Sequence, residues 1–108
     1  MSEIIKEQIQ VLVNKFADSS IKSDDVYVRF DTDKPDFFNE LSIIKDVVDT
    51  KLFRINTGVY RKFDNMGYMH TYQCMDKKEL VQYLMSGQGL ERIQNSLKEL
   101  LNRVVYMD

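Results

Sequence analysis

Residues 52–63 read LFRINTGVYRKF, residues 64–65 read DN, and residues 66–75 read MGYMHTYQCM; together they spell a β-hairpin. The first run puts Phe53, Ile55, Thr57, Val59 and Phe63 mostly on one face. Asp64 and Asn65 are turn formers, because their short polar side chains bond the nearby backbone, and Gly67 lies close by. The second run alternates Tyr68, His70, Tyr72 and Cys74 with Met69, Thr71, Gln73 and Met75, and either set is fit to face inward. Gly58 marks a bulge or a close approach of another group.

Upstream of the hairpin, Val26, Val28 and Phe30 alternate with Tyr27, Arg29 and Asp31, the pattern of a half-buried strand. Asp31, Asp33, Pro35 and Asp36 break it; Pro35 has no N–H for a ladder and suits the first turn of a helix. In residues 36–49, Phe37, Leu41, Ile44 and Val48 share a narrow helical stripe, opposite Asn39, Ser42, Lys45, Asp46 and Asp49. The β-branched Ile43, Ile44, Val47 and Val48 favour a strand instead. The period is the stronger signal and predicts a helix.

Both ends of the chain are helical by period. Ser2 caps a helix over 3–17, with Glu3 in its first turn, Ile5, Ile9, Leu12 and Phe16 on one side, and Asp18, Ser19 and Ser20 ending it. Asp76 and Glu79 form a capping-box-like pair for a short helix carrying Leu80, Val81 and Leu84, closed by Ser86-Gly87-Gln88-Gly89. Over residues 90–105, Leu90, Ile93, Leu97, Leu100 and Val104 follow a heptad seam. That seam suits either a helix lying across a small sheet or a homodimer contact. The expected fold is a single α+β domain over 1–108. A small, largely antiparallel sheet of one strand plus a hairpin is packed by N-terminal and C-terminal helices, in the order α-β-α-β-β-α-α.

With 44% hydrophobic and 30% charged residues, the 108-residue chain has globular composition and the capacity for one modest core. Lys6, Glu7, Gln8, Gln10 and Asn14 interrupt the apolar residues near its start, so no leader-type run forms there. No later run has the length of a membrane span, and the single Cys74 makes no internal disulfide; both features point to the cytoplasm. The formal charge is −2, but residues 18–49 carry nine acids against four bases, and residues 51–103 carry nine bases against five acids. The two stretches are complementary. They attract head to tail, face different partners, or interleave and cancel within the fold.

The chemistry-bearing residues are sparse. His70 and Cys74 lie roughly 13 Å apart along a strand, too far for a thiolate–imidazole pair, and one of each cannot close a zinc site. Asp31, Asp33 and Asp36 resemble the start of a calcium loop. Pro35 and Asp36 stand where that loop needs a ligand and a glycine, so turn and cap duty is the better fit. Gly87 and Gly89 precede a helix but lack the remaining glycines and the Lys-Ser/Thr pair of a phosphate cradle. Lys51, Arg54, Arg61 and Lys62 neighbour Tyr60, Tyr68 and Tyr72, as in single-strand nucleic-acid sites. Arg54 and Arg61 fall on opposite faces, however, and the acidic balance disfavours nucleic acid. No catalytic set, metal cluster or cofactor fingerprint stands out.

Six tyrosines and six methionines exceed what a core this small needs, and both types are favoured at protein interfaces. The expectation is a small protein-binding module acting by surface occupation: an inhibitor, immunity or chaperone-like protein of the kind phages and mobile elements encode. Tyr68, Met69, His70, Tyr72 and Arg61 are its expected contacts, and a homodimer through Leu90, Ile93, Leu97, Leu100 and Val104 would be compatible with them. A structural component of a larger particle and a small enzyme without a recognisable motif are the alternatives.

Overall fold

The computed structural model describes residues 2–18 and 25–107. The expected cap by the Ser2 side chain and the stop at Ser19 and Ser20 fall outside the described residues. The chain runs α1 (Ser2–Ala17), β1 (Val26–Asp31), β2 (Phe37–Lys45), β3 (Leu52–Arg61), β4 (Gly67–Thr71), β5 (Met75–Asp76), α2 (Lys77–Leu84) and α3 (Gly87–Val105). The strands form an antiparallel meander, β1-β2-β3-β4, with β5 also on β3. This is the expected α+β fold, with one element changed.

That element is residues 36–49, which form a strand and a turn rather than a helix. Leu41 and Ile43 lie opposite Val28 and Val26 on one side, and opposite Thr57 and Ile55 on the other. Once β1 and β3 flank the segment, its β-branched residues complete two ladders, and pairing outweighs the helical stripe. Val48, the last residue of that stripe, stands 90% exposed at the tip of the β2–β3 turn beside Val47 at 92%.

The register sorts the sheet into two faces. Val26, Val28 and Phe30 of β1 share a face with Asn39, Leu41 and Ile43 of β2 and with Ile55, Thr57 and Val59 of β3. α1 covers this face with Ile5, Ile9 and Leu12, α2 with Leu80 and Leu84, and α3 with Ile93, Leu97, Leu100 and Val104. The heptad seam therefore lies in the protein's own core and is not free to join a second copy. Ile93 and Leu100 are fully buried, Leu97 and Val104 nearly so, and Leu90 packs against them. The opposite face, with Tyr27, Arg29, Phe38, Glu40, Tyr60 and Met69, has no helix over it among the described residues.

β4 and β5 are one strand broken by an extra residue. Asn56 pairs with Thr71, but Phe53 pairs with Met75, so the register slips by one across residues 72–74. The slip reverses the faces. Met75 joins Phe53 against the core, while the Cys74 thiol meets the Asp46 carboxylate at 3.8 Å. The alternation expected through Met75 thus holds to Tyr72 and then inverts. Gly58 makes no bulge: the Tyr60 ring lies over it, 2.6 Å from where a Cβ would stand.

The helix caps follow the sequence signals. The Asp76 carboxylate accepts the Glu79 N–H at 2.8 Å and opens α2. Ser86 accepts the Gly89 N–H at 3.0 Å and opens α3, while its own hydroxyl donates to the Tyr83 carbonyl at 2.7 Å. No described glycine has positive φ. Gly89 is needed for space instead, because a Cβ there would fall 1.9 Å from the Tyr83 carbonyl oxygen. Asn65 supplies the left-handed residue of the β3–β4 turn, at φ 58°.

Asp46 organises the β2–β3 turn. Its carboxylate accepts the Asp49 N–H at 2.8 Å, the Val48 N–H at 3.2 Å and Arg54 Nη2 at 2.7 Å. The Asp49 amide first, then Arg54, hold its pKa below the ordinary carboxylate value. A depressed folded-state pKa stabilises above the unfolded value of about 3.9 and is lost as pH falls toward the folded one. Urea midpoints measured down from pH 5 are expected to drop less steeply for Asp46→Asn than for the wild type. Equal slopes would remove Asp46 as the turn's acid-sensitive latch.

Candidate functional site

β4 pairs with β3 on one side and ends the sheet on the other. Two hydrogen bonds fix which backbone groups it spends inward: Arg61 N–H donates to the Met66 carbonyl, and Tyr72 N–H to the Ile55 carbonyl, both at 2.8 Å. In an antiparallel ladder these groups alternate, so the N–H and C=O of Gly67, Met69 and Thr71 point away from the sheet. Sheet edges are normally guarded by charge, proline or a covering element. The stretch GYMHT of β4 holds no Asp, Glu, Lys, Arg or Pro. On β1 the Lys15 ammonium bonds the Tyr27 carbonyl at 3.0 Å, and α1 packs alongside.

A groove of about 480 Å³ separates the β4 edge from α3. His70 and Ser96 on its lining belong to a hydrogen-bonded chain that runs into the core: Thr57 Oγ1 lies 2.6 Å from Ser96 Oγ, which lies 2.6 Å from His70 Nδ1. The fold brings these together from β3, β4 and α3; nothing local in the sequence links Ser96 to His70. The Tyr72 hydroxyl is buried beside Ser96 and Thr57, and burial raises its pKa. The Arg92 guanidinium lies 4.4 Å from the Tyr72 ring centroid, and Arg103 lies 4.8 Å from that of Tyr68. Arg92 also donates to the Tyr83 hydroxyl at 3.3 Å, which raises its pKa.

A serine hydroxyl against an imidazole is the beginning of a nucleophile–base pair. Here Ser96 is 8% exposed and its oxygen is shared with Thr57, and no described carboxylate bonds the imidazole. The arrangement braces α3 on the sheet rather than presenting a nucleophile. Because each hydroxyl satisfies another, the polar cluster sits in the core at little net cost.

The five residues expected as contacts are divided by the strand. Tyr68 and His70 point toward α3, whereas Met69 points to the open face and is 56% exposed. Tyr72 is 4% exposed and belongs to the core. Arg61 lies on the helix side at the far end of β3. It is paired with Asp64 at 2.7 Å, bonded to the Met107 carbonyl at 3.4 Å, and held over the Phe63 ring. Met69 and His70 line the groove with Thr71; Arg61 does not. Arg92, Asn95, Ser96 and Glu99, which complete the groove, carry no sequence signal beyond their positions on α3 away from the core stripe.

The open face is rich in aromatic and charged groups. Arg29 lies 5.0 Å from the Tyr27 ring and 5.4 Å from the Phe38 ring, and it donates to Glu40 at 2.7 Å. Phe38 and Tyr60 are in ring contact at 5.6 Å. Arg54 pairs with Asp46 at 2.7 Å, and Lys62 with Asp31 at 3.0 Å. The last two pairs join the acid-rich stretch to the base-rich one, so the two stretches interleave within the fold. Cations already matched by carboxylates make a poor phosphate track. Among the described residues, no three His, Cys, Asp or Glu side chains converge as metal ligands, and no helix is long and apolar enough to cross a membrane. No protein-family model, curated protein or solved structure matches the chain.

Proposed function

We propose that this is a protein-binding module that accepts an extended segment of a partner as an added strand along β4. The single observation that carries this reading is the unguarded edge: three residues with outward N–H and C=O groups, on a strand without charge or proline. Strand addition takes its affinity from such main-chain groups and its specificity from alternate side chains. Tyr68 and His70 would meet the segment on the α3 side, and Met69 on the open face. Arg92 and Arg103 outnumber Glu99 along the neighbouring face of α3, which favours a segment with an acidic flank. Such a module would act by occupation, as an inhibitor, immunity or chaperone-like protein, in a compartment where the lone Cys74 stays reduced.

Met69→Pro tests the reading, because it removes an outward N–H and leaves the ladder to β3 in place. A partner captured by the wild type and by Tyr27→Glu is expected to bind Met69→Pro at least tenfold more weakly. In the wild-type complex, the Met69 and Thr71 amides should become protected from hydrogen exchange. Equal binding by Met69→Pro, with those amides still exchanging freely, would overturn it. Circular dichroism and the thermal midpoint establish that the variant is folded.

A further inference from the structure

A second cavity, which shares Asn95 alone with the lining of the β4 groove, opens beneath the β1–β2 turn between β2, α1 and α3. We propose that it binds a small neutral molecule through an amide-type edge, a hydrogen-bond donor beside an acceptor, as in the lactam of a pyrimidine or purine base or in a carboxamide. The cavity measures about 400 Å³ and is lined by Asn39, Gln94, Leu97, Lys98, Leu101 and Asp33, among others. That volume falls within the range of small-molecule sites.

Asn39 is the deciding residue. It stands on the core face of β2, two residues from Leu41 and opposite Phe30 and Val59, where the ladder calls for an apolar side chain. It is 5% exposed, it lines the cavity, and its carboxamide has no hydrogen bond among the described residues. Gln94 faces the same cavity, and its Nε2 is buried without a partner among the described residues. Buried polar groups are almost always satisfied, so an unpartnered Gln94 nitrogen, beside a carboxamide set on the core face of β2 and opening onto the same cavity, points to a bond that a ligand completes. The Thr57–Ser96 pair nearby shows the contrasting case, two buried hydroxyls that satisfy each other.

The chemistry of the lining sets the class of ligand. A carboxamide offers a donor and an acceptor side by side, without charge, and matches the same pair on another amide or a lactam. Leu97 and Leu101 supply apolar walls for a flat ring or short chain. Asp33 and Lys98 are both on the lining, one of each sign, so the site as a whole favours neither an anion nor a cation.

Titration of ¹⁵N-labelled protein with uracil, nicotinamide, benzoate and cyclohexanol tests the assignment and separates the two sources. Saturable shifts of the Asn39 and Gln94 side-chain NH₂ signals are expected with uracil if the ligand is a base, or with nicotinamide if it is a carboxamide. Benzoate and cyclohexanol should give neither. Asn39→Leu should weaken binding at least tenfold while leaving the rest of the spectrum in place. Lys98→Trp, at an exposed rim position, should obstruct the entrance without touching the core. Binding that survives both variants, or no saturable shift with either amide probe, would overturn the proposal. Neither result bears on strand addition at β4.

Discussion

Gly89→Ala is expected to destabilise the protein by about 2–3 kcal/mol, while Gly87→Ala, two residues earlier in the same helix, stabilises it by about 0.5–1 kcal/mol. In an isolated helix both changes would help, because alanine gives up less backbone freedom on folding than glycine does. The surroundings decide. A Cβ at position 87 meets nothing within 4 Å, whereas one at position 89 falls 1.9 Å from the Tyr83 carbonyl oxygen and 2.9 Å from its carbon. Backbone cannot swing aside like the end of a side chain, so α2 and α3 must separate. That movement also strains the Ser86 cap, whose hydroxyl holds the Gly89 N–H and the Tyr83 carbonyl together. Such a cap is worth about 1 kcal/mol by itself. Chemical denaturation of the two variants is the check, and a shift of the same sign in both would show that α2 and α3 are not clamped at this point.

Leu100→Ala is expected to cost about 2–5 kcal/mol, from lost burial and the cavity left behind. Leu100 is 0% exposed in the C-terminal half of α3, in the cluster that includes Ile93, Val104 and the buried residues of β3. For a domain whose whole stability is of the order of 5–15 kcal/mol, this is a large share. The measurement also separates the two uses of the heptad seam. A core residue lowers the urea midpoint at every protein concentration and leaves the mass in solution unchanged. A subunit contact would reduce the mass and leave the dilute protein equally stable, and that result would contradict the packing described above.

Most of the fold is legible in the sequence because most of it follows from local signals. β1, the hairpin, the Asp76 cap and α3 all combine one clear period with a suitable stop. Residues 36–49 mislead for a physical reason. Asn39 and Lys45 stand on the core side of β2, while Phe38 and Ile44 stand on the open side, so the period of two is spoiled at four positions. What remained was an accidental helical stripe through Phe37, Leu41, Ile44 and Val48. The same Asn39 that obscures the strand is the residue that faces the cavity. Local pattern and site chemistry conflict at one position, as they commonly do where a protein binds something.

The groove was legible only in part. Tyr68, Met69 and His70 could be found because they are crowded into one short strand. Ser96 could not, since its contact with His70 and Thr57 exists only after α3 has crossed the sheet. The slip at residues 72–74 was hidden as well, because residues 68–75 mix polar with apolar or aromatic side chains on both faces, and an extra residue leaves no mark on such a pattern.

The meander bears on how the chain reaches this shape. Each of β1 to β4 pairs with its immediate neighbour in sequence, across the short turns 32–36, 46–51 and 62–66. Such pairings close small loops, and folds built from them assemble quickly for β-rich proteins. The helical cover that α3 provides, however, comes after all five strands along the chain. During synthesis the strands can zip together while Val28, Leu41, Ile55 and Val59 still lack α3. Until α3 has left the ribosome, the nascent chain is a half-dressed sheet, and that interval is when it most needs shielding from its neighbours.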